Sequence, residues 1–381
     1  SEVVLCVQGL DRPNPSPLHS RHLPEAMGNV AATLAQVCEA VRTAVWHKHA
    51  KTSFLDKVVN IAIGSFLSLK WLGEKGISEE ERLKRLPSMR KSMAFLTHTA
   101  YEGASKKTWV KEERELPRAY GKGGPVRVMI HKPIGSTRSD LPMIVWGHGG
   151  GLNIGDHKDS NGAGLLQMVT KDDGPQFCWA SVDYRLVPEV KLPEPSDDMV
   201  SAYLSLSNKD LAQEFGYSVQ KMGFGGMSAG ALLVGHAASV LGKMGRGPKF
   251  FAGLYPMVDP TMDTESHELY GDLDAMPGVW LRECWRWALE DEQEHEVSEQ
   301  RLKEGSLLHA DFRSLAGTRA LILVGDYDPL HDEGVKLGEV LVKAGLKVEV
   351  MSGCGTHCMA HLCDAEVKRK MCKWFRETLS A

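Results

Sequence analysis

Hydrophobic positions in the first hundred residues recur at three- and four-residue intervals. Met27, Val30, Leu34, Val37, Val41 and Val45 fall on one face of an amphipathic helix at that spacing. A second helix is expected over 54–71. Ser78 with Glu81 three residues on is a capping-box pattern that opens a third. Beyond about Lys106 the period changes. Short β-like runs at 126–130, 143–146, 178–182, 222–225, 250–256, 320–324 and 347–351 alternate with helical stretches at 160–170, 196–206, 229–242, 334–344 and 365–379. The fourth of these helices meets Gly345, a suitable residue to end it. Such alternation predicts an α/β fold, a mostly parallel sheet with helices on both faces. The chain thus divides into a helical region, 1–105, and an α/β core, 106–381. One acidic interruption, 259–309, separates two strands and carries Trp280, Trp285 and Trp287 on an expected helix.

Composition narrows the function classes. Lys and Arg number 45 against 49 Asp and Glu, a net charge of −4, so no basic excess is available to hold a nucleic-acid backbone. Eight cysteines in 381 residues are too sparse for a disulfide scaffold. The N-terminus lacks a basic region before its short apolar run, which makes a poor signal peptide. The most apolar stretch, 58–72, is interrupted by Asn60, Ser65, Ser68 and Lys70 and is shorter than the roughly 20 residues of a spanning helix. A soluble, reduced, cytoplasmic protein without stable membrane insertion is expected. Glycine is over-represented, with 38 residues against an average usage of roughly 7%.

Two glycine clusters carry candidate chemistry. Gly226-Met227-Ser228-Ala229-Gly230 follows a strand and opens a helix, a setting that projects a serine hydroxyl from the sheet edge beside the free N–H groups of a helix start. His148-Gly149-Gly150-Gly151 follows the apolar strand 143–146. Its unshielded N–H groups can approach a developing oxyanion, which assigns Gly149, Gly150 and Ala229 as donors. A hydrolytic triad further needs a carboxylate and a histidine downstream of the serine. Asp326, Asp328, Asp332 and Glu333 follow the strand 320–324, and His357 follows the strand 347–351.

Three rival readings are weaker. Gly223-Phe-Gly225-Gly-Met-Ser228 lacks the third glycine of a dinucleotide fingerprint and the acidic residue about 20 positions on. Gly121-Lys-Gly-Gly-Pro lacks the spacing of a phosphate-binding loop. Cys354, His357, Cys358, His361 and Cys363 crowd together, but no second ligand cluster exists to complete a zinc module. Those cysteines are read as small buried hydrophobes. No metal and no cofactor is expected.

Taken together, the motifs resemble the hormone-sensitive lipase-like esterases of the α/β-hydrolases, also called the arylacetamide deacetylase group. The matching pieces are His148-Gly-Gly-Gly151, Asp183-Tyr-Arg-Leu-Val-Pro-Glu189, Leu192-Pro193 with Asp198, Gly226-x-Ser228-Ala-Gly230, Asp328-Pro-Leu with Asp332-Glu, and Gly355-Thr-His357, in family order. The resemblance implies Ser228 as nucleophile, His357 as base and Asp328, rather than Asp326, as its orienting acid. It also implies a cap formed by the N-terminal helices and 259–309. Met227 stands where the family usually has an acidic or small residue, and Ala231 where it has glycine. Some relatives are plant hormone receptors that have lost the histidine; His357 is present here. The expectation is a serine carboxylesterase acting on a small to medium, apolar small-molecule ester, an acetylated natural product or sterol among the options. Phe54, Phe66, Trp71, Trp280 and Trp285 are expected around that substrate. The alternatives are acyl transfer or lactone formation by the same serine, and a non-catalytic binding protein of this fold.

Overall fold

The computed structural model describes residues 56, 77–172, 174–271, 276, 278–290 and 297–381. The two helices expected over 27–45 and 54–71, and with them Phe54, Phe66 and Trp71, therefore lie outside the described residues, as does the apolar stretch 58–72. The third expected helix, α1 (Glu79–Ser105), begins at its capping residue: the Ser78 hydroxyl accepts from the N–H of Glu81, and Glu79, Glu80 and Glu81 face the positive end of the helix.

Eight strands form one sheet in the order β1 (Trp109–Leu116), β2 (Val126–Pro133), β4 (Cys178–Asp183), β3 (Leu141–Gly147), β5 (Tyr217–Met227), β6 (Phe250–Leu254), β7 (Arg319–Gly325) and β8 (Lys347–Gly353). β2 pairs antiparallel with both β1 and β4, and every other pairing is parallel. The mostly parallel sheet read from the alternation is thus present. β1 was not anticipated. Only its end residues Trp109 and Leu116 are buried, so this edge strand has no apolar run to announce it.

Side chains alternate between two cores, as strand geometry requires. On β3, Met143 and Val145 join one cluster while Ile144 and Trp146 join the other; Ile322 and Leu323 divide likewise on β7. The first core packs against α3 (Glu194–Leu206), α5 (Ala229–Lys243) and α9 (His331–Lys343), the second against α2 (Ser160–Thr170) and α11 (Ala365–Ser380). A short α4 (Lys209–Phe215) leads into β5, and α10 (Ala360–Cys363) precedes α11. Within the 259–309 interruption lie α6 (Glu265–Tyr270), α7 (Gly278–Leu289) and α8 (Glu299–Gly305); Trp280, Trp285 and Trp287 sit on α7, the helix expected there, and all three are buried, Trp285 away from the cavity described below. Among the described residues no helix is long and apolar enough to cross a membrane.

Register brings the candidate residues together. Gly147 at the end of β3 pairs with Gly226 at the end of β5, so the His148 loop and Ser228 leave the sheet side by side. Gly325 ends β7 opposite Gly353 of β8, which sets the loop carrying Asp328 beside the loop carrying His357. All four turns leave the carboxyl ends of parallel strands, where open α/β sheets present their ligand sites.

Candidate active site

Ser228 sits between β5 and α5 with φ +56° and ψ −122°, a backbone conformation that a residue with a side chain rarely adopts. Its N–H donates to the Leu254 carbonyl at 2.8 Å, and its carbonyl accepts from Ala231, Leu232 and Met257. The sharp turn is possible because its flanks lack side chains. A Cβ on Gly230 would lie 2.1 Å from the Gly147 carbonyl oxygen, so β3 and the start of α5 touch backbone to backbone.

The His148 loop is oriented from behind. Tyr184 Oη donates to the His148 carbonyl at 2.8 Å, and its ring stacks on the His148 imidazole with centroids 4.0 Å apart. His148 Nδ1 lies 2.8 Å from the Gly149 carbonyl and so carries the proton, since a carbonyl only accepts. In a trans peptide the C=O and the following N–H point in opposite directions. Holding the carbonyls of His148 and Gly149 therefore fixes the N–H groups of Gly149 and Gly150 on the far side of each peptide. The bonds to the Ser228 carbonyl do the same for Ala229 N–H. Gly150 has φ +124°, and a Cβ there would lie 2.1 Å from the Ile154 oxygen, so the bend depends on glycine.

Tyr184 belongs to a braced segment. Arg185 forks onto the buried Asp198 carboxylate at 2.9–3.2 Å, and Arg118 reaches the same carboxylate at 2.7 Å. Of the motif pieces Asp183 to Glu189 and Asp198, Tyr184 holds the glycine loop and Asp198 braces the neighbouring Arg185, and none of them lines the cavity.

Across the cavity, Asp328 is fully buried. Its Oδ2 lies 2.8 Å from His357 Nδ1, and its Oδ1 accepts from Leu330 N–H at 2.9 Å. His357 Nδ1 accordingly holds a proton and Nε2 is left as the basic nitrogen. Burial alone would lower the imidazole pKa; the Asp328 charge, with Cys358 next in the chain, outweighs it and holds the pKa above the ordinary histidine value. Asp326 is exposed and bonds Ser352 instead, while Asp332 accepts from Ser266 N–H at 2.9 Å and Glu333 from Val258 N–H at 2.7 Å. Of the four acids in this stretch, only Asp328 meets the histidine.

Ser228, His357, His148, Gly149, Gly150 and Met227 line one cavity of about 170 Å³. Its walls also include Met93 and Thr97 of α1, Ile154, Met276 and Trp280, with Asp156, Lys158, Asp159 and Asn161 at a polar margin. Gly151 lies behind this surface, where a Cβ would lie 2.6 Å from Cys284 Sγ.

The cysteine reading needs correction. Cys354, Cys358 and Cys363 are half-buried rather than core residues, and Cys358 lines the cavity beside His357. Cys354 and Cys358 lie on the turned loop between β8 and α10, where Cys358 has φ +62°, and Cys363 ends α10. His361 is buried instead, its Nδ1 2.9 Å from Tyr255 Oη, and burial pushes its pKa down to about 4. Among the described residues no group of three or more His, Cys, Asp or Glu side chains could hold a metal ion. Tyr255, Cys358, Met93 and Thr97 were not anticipated at the site. For Met93 and Thr97, the four-residue spacing on α1 is the only signal the sequence offers.

The chain is similar to the carboxylic ester hydrolase LipN of Mycobacterium tuberculosis, with 29% identity over 247 residues, 60% of this chain and 59% of that protein. It is 29% identical over 229 residues to the carboxylesterase NlhH of the same organism, covering 59% of this chain and 67% of that one. The chain thus spans between about half and two thirds of these relatives' lengths. Its fold matches the thermophilic carboxylesterase EstE1 from a metagenomic library, with a TM-score of 0.64 and 23% identity over 77% of this chain and 97% of that one. A family model for the alpha/beta hydrolase fold matches residues 144–361, more than half of the sequence. The chain belongs to the alpha/beta hydrolase fold family.

Proposed function

We propose that this protein is a serine carboxylic-ester hydrolase in which Ser228 is the nucleophile, His357 the general base and Asp328 the group that orients it. The observation that carries the reading is the 2.8 Å bond between buried Asp328 and His357, with His357 and Ser228 on the wall of one cavity. His357 Nε2 takes the Ser228 proton as the oxygen attacks the ester carbonyl; Asp328 holds the tautomer and stabilises the imidazolium that forms. The N–H groups of Gly149, Gly150 and Ala229 bind the oxyanion. His357 then protonates the leaving alcohol, and water, activated by the same imidazole, releases the acid from the acyl-serine.

The cavity favours a small ester. Its volume of about 170 Å³ falls below the roughly 300–1,000 Å³ of pockets for drug-sized ligands, and Met93, Ile154, Met227, Met276 and Trp280 give it an apolar wall. α1 and α7, which contribute Met93, Thr97 and Trp280, act as the cap that selects the substrate. Hydrolysis of p-nitrophenyl acetate by wild type and Ser228→Ala tests the assignment. A loss of about 10⁴-fold or more in turnover is expected; retention of most activity would sink it.

A further inference from the structure

The histidine loop receives a bond from an unexpected quarter. Asp56, 300 residues earlier in the chain, has its carboxylate fully buried against Thr356, the residue before His357. Asp56 Oδ2 accepts from Thr356 N–H at 2.9 Å and Oδ1 from Thr356 Oγ1 at 2.5 Å. Both partners are removed from solvent: Asp56 is 0% exposed and Thr356 2%. A buried carboxylate is costly without such bonds, and charged acceptors make the stronger ones.

Other ties on this loop among the described residues come from the core. Tyr327 N–H donates to the Gly355 carbonyl at 3.1 Å, Met359 N–H to the Thr356 carbonyl at 3.0 Å, and Cys354 N–H to Asp364 Oδ2 at 3.2 Å. These bonds hold the loop's carbonyls and its first residue. The N–H and hydroxyl of Thr356, adjoining His357, are held by Asp56.

We propose that Asp56 is a positioning residue for catalysis, a tether by which the N-terminal region fixes the backbone before His357. This rests on the triad reading above. It makes the catalytic geometry of the core depend on a segment outside the strand-and-helix alternation that forms the fold. Misplacement of a catalytic group by about 1 Å can cost on the order of 10²-fold in rate.

The test compares wild type, Asp56→Asn, Thr356→Val and Thr356→Ser on p-nitrophenyl acetate. Turnover is counted per site titrated with a fluorophosphonate, and circular dichroism checks the fold. Asp56→Asn is expected to lower kcat about 10- to 100-fold with KM within about threefold. Thr356→Val should fall in the same direction, Thr356→Ser should recover most of that loss, and the double variant Asp56→Asn with Thr356→Val should be little worse than Asp56→Asn alone. A kcat per titrated site within about twofold of wild type in Asp56→Asn, with only thermal stability reduced, overturns the tether. If Asp56→Asn does not fold, Thr356→Val decides by the same criterion. Wild type that is not labelled at Ser228 overturns the hydrolase reading as well, whereas labelled wild type beside an unimpaired Asp56→Asn overturns the tether alone.

Discussion

The two sides of the cavity are built by opposite means. Around Ser228 the backbone does the work: glycines let β3, β5 and α5 touch main chain to main chain, and each candidate oxyanion N–H is aimed by a bond to a carbonyl. Around His357 side chains do it, with Asp328 on the ring and Asp56 and Asp364 on its loop. A backbone-built site tolerates no added atom. A side-chain-built one is sensitive to the loss of a charge.

That contrast is open to attack. The largest effect is expected from Asp328→Asn, which leaves size intact and removes the charge facing His357; kcat should fall about 10⁴-fold. Asp326→Asn, two residues away and exposed, should stay within about threefold of wild type, and steady-state kinetics on both separates the acids. Next comes Gly150→Ala, whose new methyl would collide with the Ile154 oxygen and turn the donor away. A drop of about 10²–10³-fold in kcat is expected. Tyr184→Phe keeps the ring stacked on His148 but removes the bond to its carbonyl. About a tenfold fall in kcat, with little change in KM, would show that the glycine loop is aimed from behind.

The smallest effect sharpens the histidine side. His357 must be neutral to act as base, so kcat/KM rises with pH through its pKa. Asp328 and Cys358 hold that pKa above the ordinary histidine value. Cys358→Ala removes one of the two and should move the rising limb to lower pH, seen in a pH–rate profile. A limb that does not move, or that moves upward, would deny Cys358 this influence.

Much of this is legible in the sequence. The glycine-built side is written locally, because a turn that cannot hold a Cβ must show glycine at that position. Ser228 and the Gly149–Gly151 run followed from that. Seven of the eight strands announced themselves by apolar runs, whereas β1, a half-polar edge strand, did not. The run at 250–256 overshoots because Tyr255 leaves the strand at φ +50°. Side-chain anchoring is harder to read. Asp326 and Asp328 are the same residue type two positions apart, and spacing alone cannot say which one turns inward; the family resemblance pointed to Asp328. Asp56 gave no signal, since an aspartate on a helical stretch looks like any solvated charge until its partner 300 residues away is known.

Ser228 itself imposes a lasting burden on the fold. Its φ of +56° is a conformation that costs on the order of 1–3 kcal/mol for a residue with a Cβ. Glycine would adopt it freely, offset by about 1 kcal/mol of extra chain entropy in the unfolded state. Ser228→Gly should therefore melt at or above the temperature of the active protein while hydrolysing nothing. If Ser228 is the nucleophile as proposed, selection for thermal resistance alone would drift toward erasing it, and only selection for turnover keeps a serine at the elbow.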